Sequence, residues 1–370
     1  MKVKFLLTAA IVASMALVSC NKEEVSPVDS QPKSVTVKLP NIMPTKATGD
    51  AIDNGSQVAL TDYTVFFTDA AGNVLDVPEY NDMPQTVYFD STTEIGEAYT
   101  YHFLPASTEN VVVVGNLGNV SATYTTEAEL AAVVKDVLND EGTGKVTLYP
   151  LYGKSGLTKA EGLDEADHTP VYTATVNLTP RVSRFEVYAF GYNTEEGQAE
   201  SSLYESVALN KIALNNYYTR YNFVAATPSG SAVNTAITDG NAWTWMETTS
   251  APWADELGFS LNAGEHLLSN GSALTGHEDG EGATGIVTYG IVSNAGGQLP
   301  QLVLTLTGTK AGVETPLYLV GNFPETTFEA GKIYRVDFVF ADADLEQPER
   351  CVELIVTVAN WEVVPVTPEF

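Results

Sequence analysis

Three things are scarce in this chain of 370 residues: it has two cysteines, four histidines, and 18 lysines and arginines against 47 aspartates and glutamates. Two cysteines cannot form a disulfide framework, so stability must come from a packed core. A net charge of −29 argues against nucleic acid and against anionic lipid surfaces as partners. The same acidity suits the solubility of an exposed protein. The apolar run from Phe5 to Val18 is too short for a comfortable bilayer span, which takes about 20 residues. Catalytic signatures are also wanting. There is no Gly-x-Ser-x-Gly and no His-Glu-x-x-His. Gly153-Lys154-Ser155 ends like a phosphate loop, but Leu148 stands where its first glycine belongs. No enzymatic activity, cofactor or metal is expected.

What is present begins at the N-terminus. Lys2 and Lys4 precede the apolar run, and Leu17-Val18-Ser19-Cys20 closes it. That order reads as a secretory signal over residues 1–19, with Cys20 as the first mature residue. It is similar to the lipobox of bacterial lipoproteins, in which the cysteine receives a diacylglycerol thioether and then an N-acyl chain. Several acyl chains at one point anchor stably where a single chain does not. An ordinary signal peptide with a chance cysteine is the alternative. Asn21-Lys22-Glu23-Glu24 resembles the surface-export signal of Bacteroidetes lipoproteins. The polar stretch to Lys33, with Pro27 and Pro32, lacks apolar bulk and is expected to act as a tether.

Beyond the tether the pattern is mostly strand. Ser34 to Leu39 alternates, with Val35, Val37 and Leu39 on one face, until Pro40 and Pro44 break it. Thr61–Thr68, Val87–Phe89, Tyr99–Tyr101 and Val111–Val114 are further β-rich runs, and Asp69 to Asn73 is a turn. One helix is predicted. Thr126 caps it with Glu129 as the box partner, and Leu130, Val133, Val134, Val137 and Leu138 recur at helical spacing until Asp140 to Gly144. Residues 47–178 thus read as a β-sandwich or barrel with one packed helix. With 44% hydrophobic residues the whole chain can bury two domain cores. A second sandwich, from about residue 179 to 370, is predicted from strands at Arg181–Phe190, Val207–Leu214, Ile286–Val292, Leu302–Thr307, Tyr334–Phe340 and Val352–Val358. Tyr217 to Pro252 reads as a loop excursion.

The tail from Trp361 to Phe370 is apolar and extended, and Pro365 and Pro368 exclude helix. Such an end must be buried. It is either a last strand of its own domain or a strand added to a neighbouring subunit. Other candidate sites have plain alternatives. Asp164, Glu165, Asp167 and His168 cluster, as do His277, Glu278, Asp279 and Glu281, and Asp342, Asp344 and Glu346 alternate. Each could hold a hard cation such as calcium, but none has the EF-hand pattern, and acidic loops are usually solvated faces. Trp243, Trp245 and Trp253 could stack on sugar or simply anchor loops. His102 and His266 lie in apolar strands without acid partners nearby in sequence and read as structural.

Taken together, these features resemble the Bacteroidetes FimA-type major fimbrial subunits, the type V pilins. The matching segments are the lipobox at Cys20, the strand Ser34–Leu39, Pro44-Thr45-Lys46-Ala47, the helix from Thr126, Tyr149 to Gly153, Leu178 to Arg184, and Val356 through Phe370. The resemblance implies a mostly β fold of two transthyretin-like β-sandwich domains, with one short helix in the N-terminal one. It implies four segments: signal peptide 1–19, lipidated propeptide 20–46, N-terminal domain 47–178 and C-terminal domain 179–370. An extracellular Arg- or Lys-specific protease would cut between Lys46 and Ala47 and so release the first strand with Val35, Val37 and Leu39. The emptied groove would accept a donor strand from another copy or an accessory fimbrial subunit, carrying Trp361, Val363, Val364, Val366 and Phe370. The precursor would sit in the outer membrane through its lipid, and the mature product in an extracellular fimbrium that supports adhesion to a host or bacterial receptor of unknown nature. The alternatives are a non-polymerising surface lipoprotein adhesin that binds glycan or protein, or a fimbrial tip subunit.

Replacing the lipobox cysteine tests the export reading. Cys20→Ala should abolish incorporation of labelled fatty acid and block surface display, measured by labelling in growing cells; unchanged labelling would rule the lipobox out.

Overall fold

The computed structural model describes residues 30–40, 57–78, 84–89, 98–137, 149–165, 168–233, 236, 254–268, 287–292, 299–323, 327–347, 349–353, 355–360 and 362–365. Two sheets come from the first half of the chain. One has the order β10 (Thr158–Leu163), β11 (Pro170–Thr175), β1 (Lys33–Lys38), β6 (Ala98–Leu104). The other runs β12 (Thr179–Pro180), β9 (Leu151–Gly156), β7 (Asn110–Gly115), β3 (Asp62–Thr68), β4 (Val74–Leu75), with β5 (Thr86–Tyr88) also on β3. Their inner faces meet, as the edge-on contact of Phe67 in β3 with Tyr101 in β6 shows (centroids 5.0 Å apart). Two more sheets come from the second half. One is β18 (His266–Leu268), β13 (Ser183–Tyr192), β22 (Lys332–Phe340), β24 (Ile355–Asn360), with β19 (Val287–Ile291) on β13. The other is β17 (Ala254–Asn262), β14 (Ser206–Asn215), β20 (Gln301–Lys310), β21 (Val313–Asn322), β23 (Glu349–Glu353). The fold is therefore the mostly β, sandwich type that the alternating patterns imply.

Two small sheets join distant parts of the chain. β8 (Val134–Asp136) pairs with β15 (Arg220–Asn222), which pairs with β16 (Thr227–Ser229). β2 (Gln57–Leu60) runs parallel to β25 (Glu362–Pro365). The first corrects two expectations. The predicted helix starts as expected: Thr126 Oγ1 accepts from the Glu129 N–H at 3.1 Å. Glu129, however, reaches back to the N–H and hydroxyl of Thr125 (2.7 and 2.9 Å). Those bonds hold its carboxyl below the usual carboxylate range. The helix, α1, spans only Glu127–Ala131. Val133, Val134 and Val137 match helical spacing but are β-branched, and pairing with β15 claims residues 134–136. Part of the expected loop excursion after Tyr217 supplies that partner. A second short helix, α2 (Asp342–Leu345), was not anticipated.

A third correction concerns Val352 to Val358. The run is one alternating pattern in sequence but two strands in space. β23 pairs parallel with β21, and β24 pairs antiparallel with β22, in the two different sheets of the second half.

Arg181 ties the two halves. Its guanidinium donates to the carbonyls of Phe223 (3.3 Å) and Val224 (2.6 Å) and to the Thr179 hydroxyl (3.2 Å), and it lies over the Tyr152 ring. Burial lowers its affinity for the proton, and the nearby Tyr152 and Tyr221 act the other way. Tyr149 packs on Gly290, where a Cβ would stand 2.5 Å from the tyrosine oxygen, so a side chain at 290 would displace the ring. Burial raises the Tyr149 hydroxyl to about 12, against the opposing charge of Arg184.

Asp342 closes the second sandwich. Its carboxylate accepts from the Tyr192 hydroxyl (2.7 Å), the Asn193 amide (2.7 Å) and the Leu203 N–H (3.0 Å to each oxygen). Burial pushes its pKa up, but these donors outweigh burial and leave it below the ordinary value. A lowered acid contributes stability above its unfolded pKa of about 4 and loses it as pH falls through the folded value. Asp342→Ala should therefore destabilise by about 1–3 kcal/mol at neutral pH. The difference from the unsubstituted chain should shrink below about pH 4, as measured by urea unfolding across pH.

Candidate functional site: the slot of the first strand

β1 comes earliest in the chain of all described strands, yet it lies inside its sheet rather than at an edge. It runs parallel to β11, with Val35 opposite Tyr172 and Val37 opposite Ala174. It runs antiparallel to β6, with Val35 opposite Tyr101 and Val37 opposite Tyr99. Both of its edges are thus hydrogen-bonded. Val35, Val37 and Leu39 face inward and belong to the same apolar core as Phe67, Tyr101, Val111 and Val113. Fully burying a residue of this size contributes about 1.5–3 kcal/mol.

Polar contacts along β1 fix its register. Thr36 and Thr100 share a hydroxyl–hydroxyl bond of 2.9 Å, and Ser34 and Thr169 one of 2.8 Å. The Lys38 carbonyl accepts from the Val176 N–H at 2.9 Å. At the leading end Lys33 is only 5% exposed. Its ammonium donates to the Thr108 carbonyl at 2.6 Å, stands 3.6 Å from the Glu109 carboxylate and lies 5.0 Å from the centre of the Tyr172 ring. A lysine in the polar approach to an alternating strand gives no warning in sequence that it will be buried.

His102 has an acid partner after all. Its Nδ1 lies 3.6 Å from Asp164 Oδ1 and 3.2 Å from Ser34 Oγ. Ser, His and Asp meet here, but one ring nitrogen faces both partners. A relay needs the serine on one nitrogen and the acid on the other; here both contacts fall on Nδ1, and they link β1 to β6 and to Asp164. Of the other acidic clusters, Asp342 is taken up as described, and Asp344 accepts from the Ala341 N–H at 3.0 Å. Among the described residues no group of three or more His, Cys, Asp or Glu side chains is placed to hold a metal ion. The phosphate-loop-like Gly153-Lys154-Ser155 lies in β9, where Lys154 pairs with Glu127 at 2.6 Å.

The tail is only partly described. In β25, Val363 and Val364 stand opposite Val58 and Ala59 of the same chain. His266 lies in β18. Cys20, Lys46, Ala47, Trp361, Val366, Phe370, Asp167, Trp243, Trp245, Trp253 and the cluster at His277, Glu278, Asp279 and Glu281 lie outside the described residues.

No family model matches the chain, and no curated protein does. Solved structures do. A proposed cell adhesion protein of Bacteroides eggerthii is similar over 91% of this chain and 98% of its own, with a TM-score of 0.55 and 16% identity. The chain shares the fold of that protein. A second such protein, from Parabacteroides distasonis, matches over 93% of this chain and 100% of its own, at a TM-score of 0.51 and 12% identity. A fimbrilin of Porphyromonas gingivalis aligns over 91% of this chain and 99% of its own, at a TM-score of 0.48 and 12% identity.

The core position of β1 can be tested directly. Val35→Ala in the intact chain should cost about 2 kcal/mol, the two lost carbons plus the cavity they leave. A urea-unfolding midpoint that does not move would mean that β1 is not part of the folded core.

Proposed function

We propose that this protein is a structural subunit of surface fimbriae, exported as a lipoprotein precursor, activated by cleavage between Lys46 and Ala47, and assembled by strand exchange to support adhesion. The observation that carries the reading is the position of β1. A strand from the chain's beginning fills the middle of a sheet and is bonded along both edges. Lys46 follows it by a few residues, so one cut separates the strand covalently from the body of the protein. Loss of β1 would orphan backbone groups on both β6 and β11 and expose the apolar slot beneath them. A strand from another subunit meets both needs at once. Groove and strand lie on different parts of the molecule, so the contact is head-to-tail and propagates rather than closing. The adhesion fold supports this reading.

The donor would be the tail through Trp361, Val363, Val364, Val366 and Phe370. About ten residues of strand span roughly 33 Å, enough to cross a sandwich domain. A second reading, a non-polymerising surface lipoprotein adhesin or a tip subunit, is favoured by one observation: β25 has a partner, β2, in its own chain. That ladder is four residues long. Two-stranded pairings of this size are marginal in water, so the tail can leave it.

The test uses protease-treated subunits with and without Trp361 to Phe370. The full-length protein should begin at Ala47 in assembled material and form fibres visible by microscopy. The truncated protein should stay a folded, soluble monomer. Polymer from the truncated protein would place the donor strand elsewhere. Failure of the truncated protein to fold would make the tail an ordinary core strand and favour the second reading.

A further inference from the structure

The slot holds more than an apolar groove. At the leading end of β1, the Lys33 ammonium occupies a recess walled by the Thr108 carbonyl, the Glu109 carboxylate and the Tyr172 ring face. The walls of the recess also have supports outside β1. The N–H and hydroxyl of Thr108 both donate to the Pro105 carbonyl (3.0 and 2.7 Å). Glu109 is held by its N–H on the Thr68 carbonyl and its own carbonyl under the Leu157 N–H (2.8 and 3.0 Å). Tyr172 is positioned by pairing with Lys159 of β10. Two oxygen acceptors and a π-face converge on one point, which is a receptor for a cation.

We propose that Thr108, Glu109 and Tyr172 form a cation subsite that selects the strand filling the slot: one with a lysine or arginine two residues ahead of alternating apolar residues. This rests on the reading that the slot is emptied and refilled. β1 has the required pattern in Lys33, Val35, Val37 and Leu39. The chain's own tail does not, for Trp361 to Phe370 contains no lysine or arginine. Setting Val364 and Val366 at the Val35 and Val37 positions brings Glu362 to the place of Lys33, an acid facing Glu109 and a carbonyl oxygen. A second copy's tail therefore satisfies the groove but not the subsite. It cannot displace an uncut β1, and a partner subunit with a basic residue at the head of its donor strand is the better match.

The test uses the full chain with Cys20→Ala and a specific protease site inserted after Lys46, cut so that the first segment stays bound without a covalent link. Peptides then compete with that segment: residues 31–41, the same with Lys33→Met or Lys33→Arg, and residues 360–370. The native and Lys33→Arg peptides should displace the segment at similar concentrations. Lys33→Met and the tail peptide should need at least about tenfold more, the worth of one charge-assisted hydrogen bond. Glu109→Gln or Tyr172→Leu in the protein should narrow that gap; Glu109→Gln leaves the core untouched. Equal competition by the native and Lys33→Met peptides would overturn the subsite while leaving strand exchange intact. If not even the native peptide displaces the segment, exchange fails and the subsite fails with it.

Discussion

Backbone groups buried inside a sheet must be hydrogen-bonded, and β1 meets that need for two neighbours at once. Among the described residues β6 and β11 are not paired with each other; β1 lies between them and bonds to both, while β10 takes the other edge of β11. An unpaired buried peptide group costs as much as a lost hydrogen bond, so the first sandwich depends on some strand being there. Nothing in backbone pairing specifies which strand. That freedom allows exchange, and it places all selectivity in side chains: the apolar face of Val35, Val37 and Leu39, the hydroxyl pairs at Ser34 and Thr36, and the ammonium of Lys33.

Much of this was legible from residue patterns. Ser34 to Leu39 alternates cleanly, and the structure places a strand there with the same buried face. Thr61–Thr68 and Val111–Val114 were legible as β-rich runs, the continuous pattern of strands buried on both faces, and strands were also expected at Val207–Leu214 and Tyr334–Phe340. What failed was local pattern without tertiary context. Leu130, Val133, Val134 and Val137 satisfy helical spacing, but the partner that turns residues 134–136 into strand lies far along the chain at β15. Val352 to Val358 is one alternating run whose break between sheets leaves period two almost undisturbed. His102 looked isolated because Ser34 of β1 and Asp164, just past β10, reach it from distant parts of the chain. Lys33 could not be found at all, since only the fold shows that a lysine at the head of a strand is buried.

The two halves are not strung loosely along the chain. β8 adds to β15 and β16, Arg181 donates to the carbonyls of Phe223 and Val224, and Tyr149 rests on Gly290. Some of these contacts fix backbone, and others pack rings, among them Tyr149 on Gly290 and the edge-on meeting of Tyr152 with Phe223. None of the named contacts uses a residue of β1, so the seam between the halves does not rest on the first strand.

The proposed scheme also implies an order of events. β1 has ladders on both sides, a buried apolar face and a seated cation. Among the described residues β25 pairs with β2 over four residues. If strand exchange is the route of assembly, a competing tail would enter only after the covalent link to β1 is cut and that strand can diffuse away. Cleavage would add no binding energy. It would convert an intramolecular occupant, present at a high effective concentration, into a dissociable one. A lysine at the head of β1 strengthens the same bias from the other side, because it gives the resident strand a contact that the tail lacks. On the proposed scheme, the residues that hold the first strand in place would also decide what can replace it.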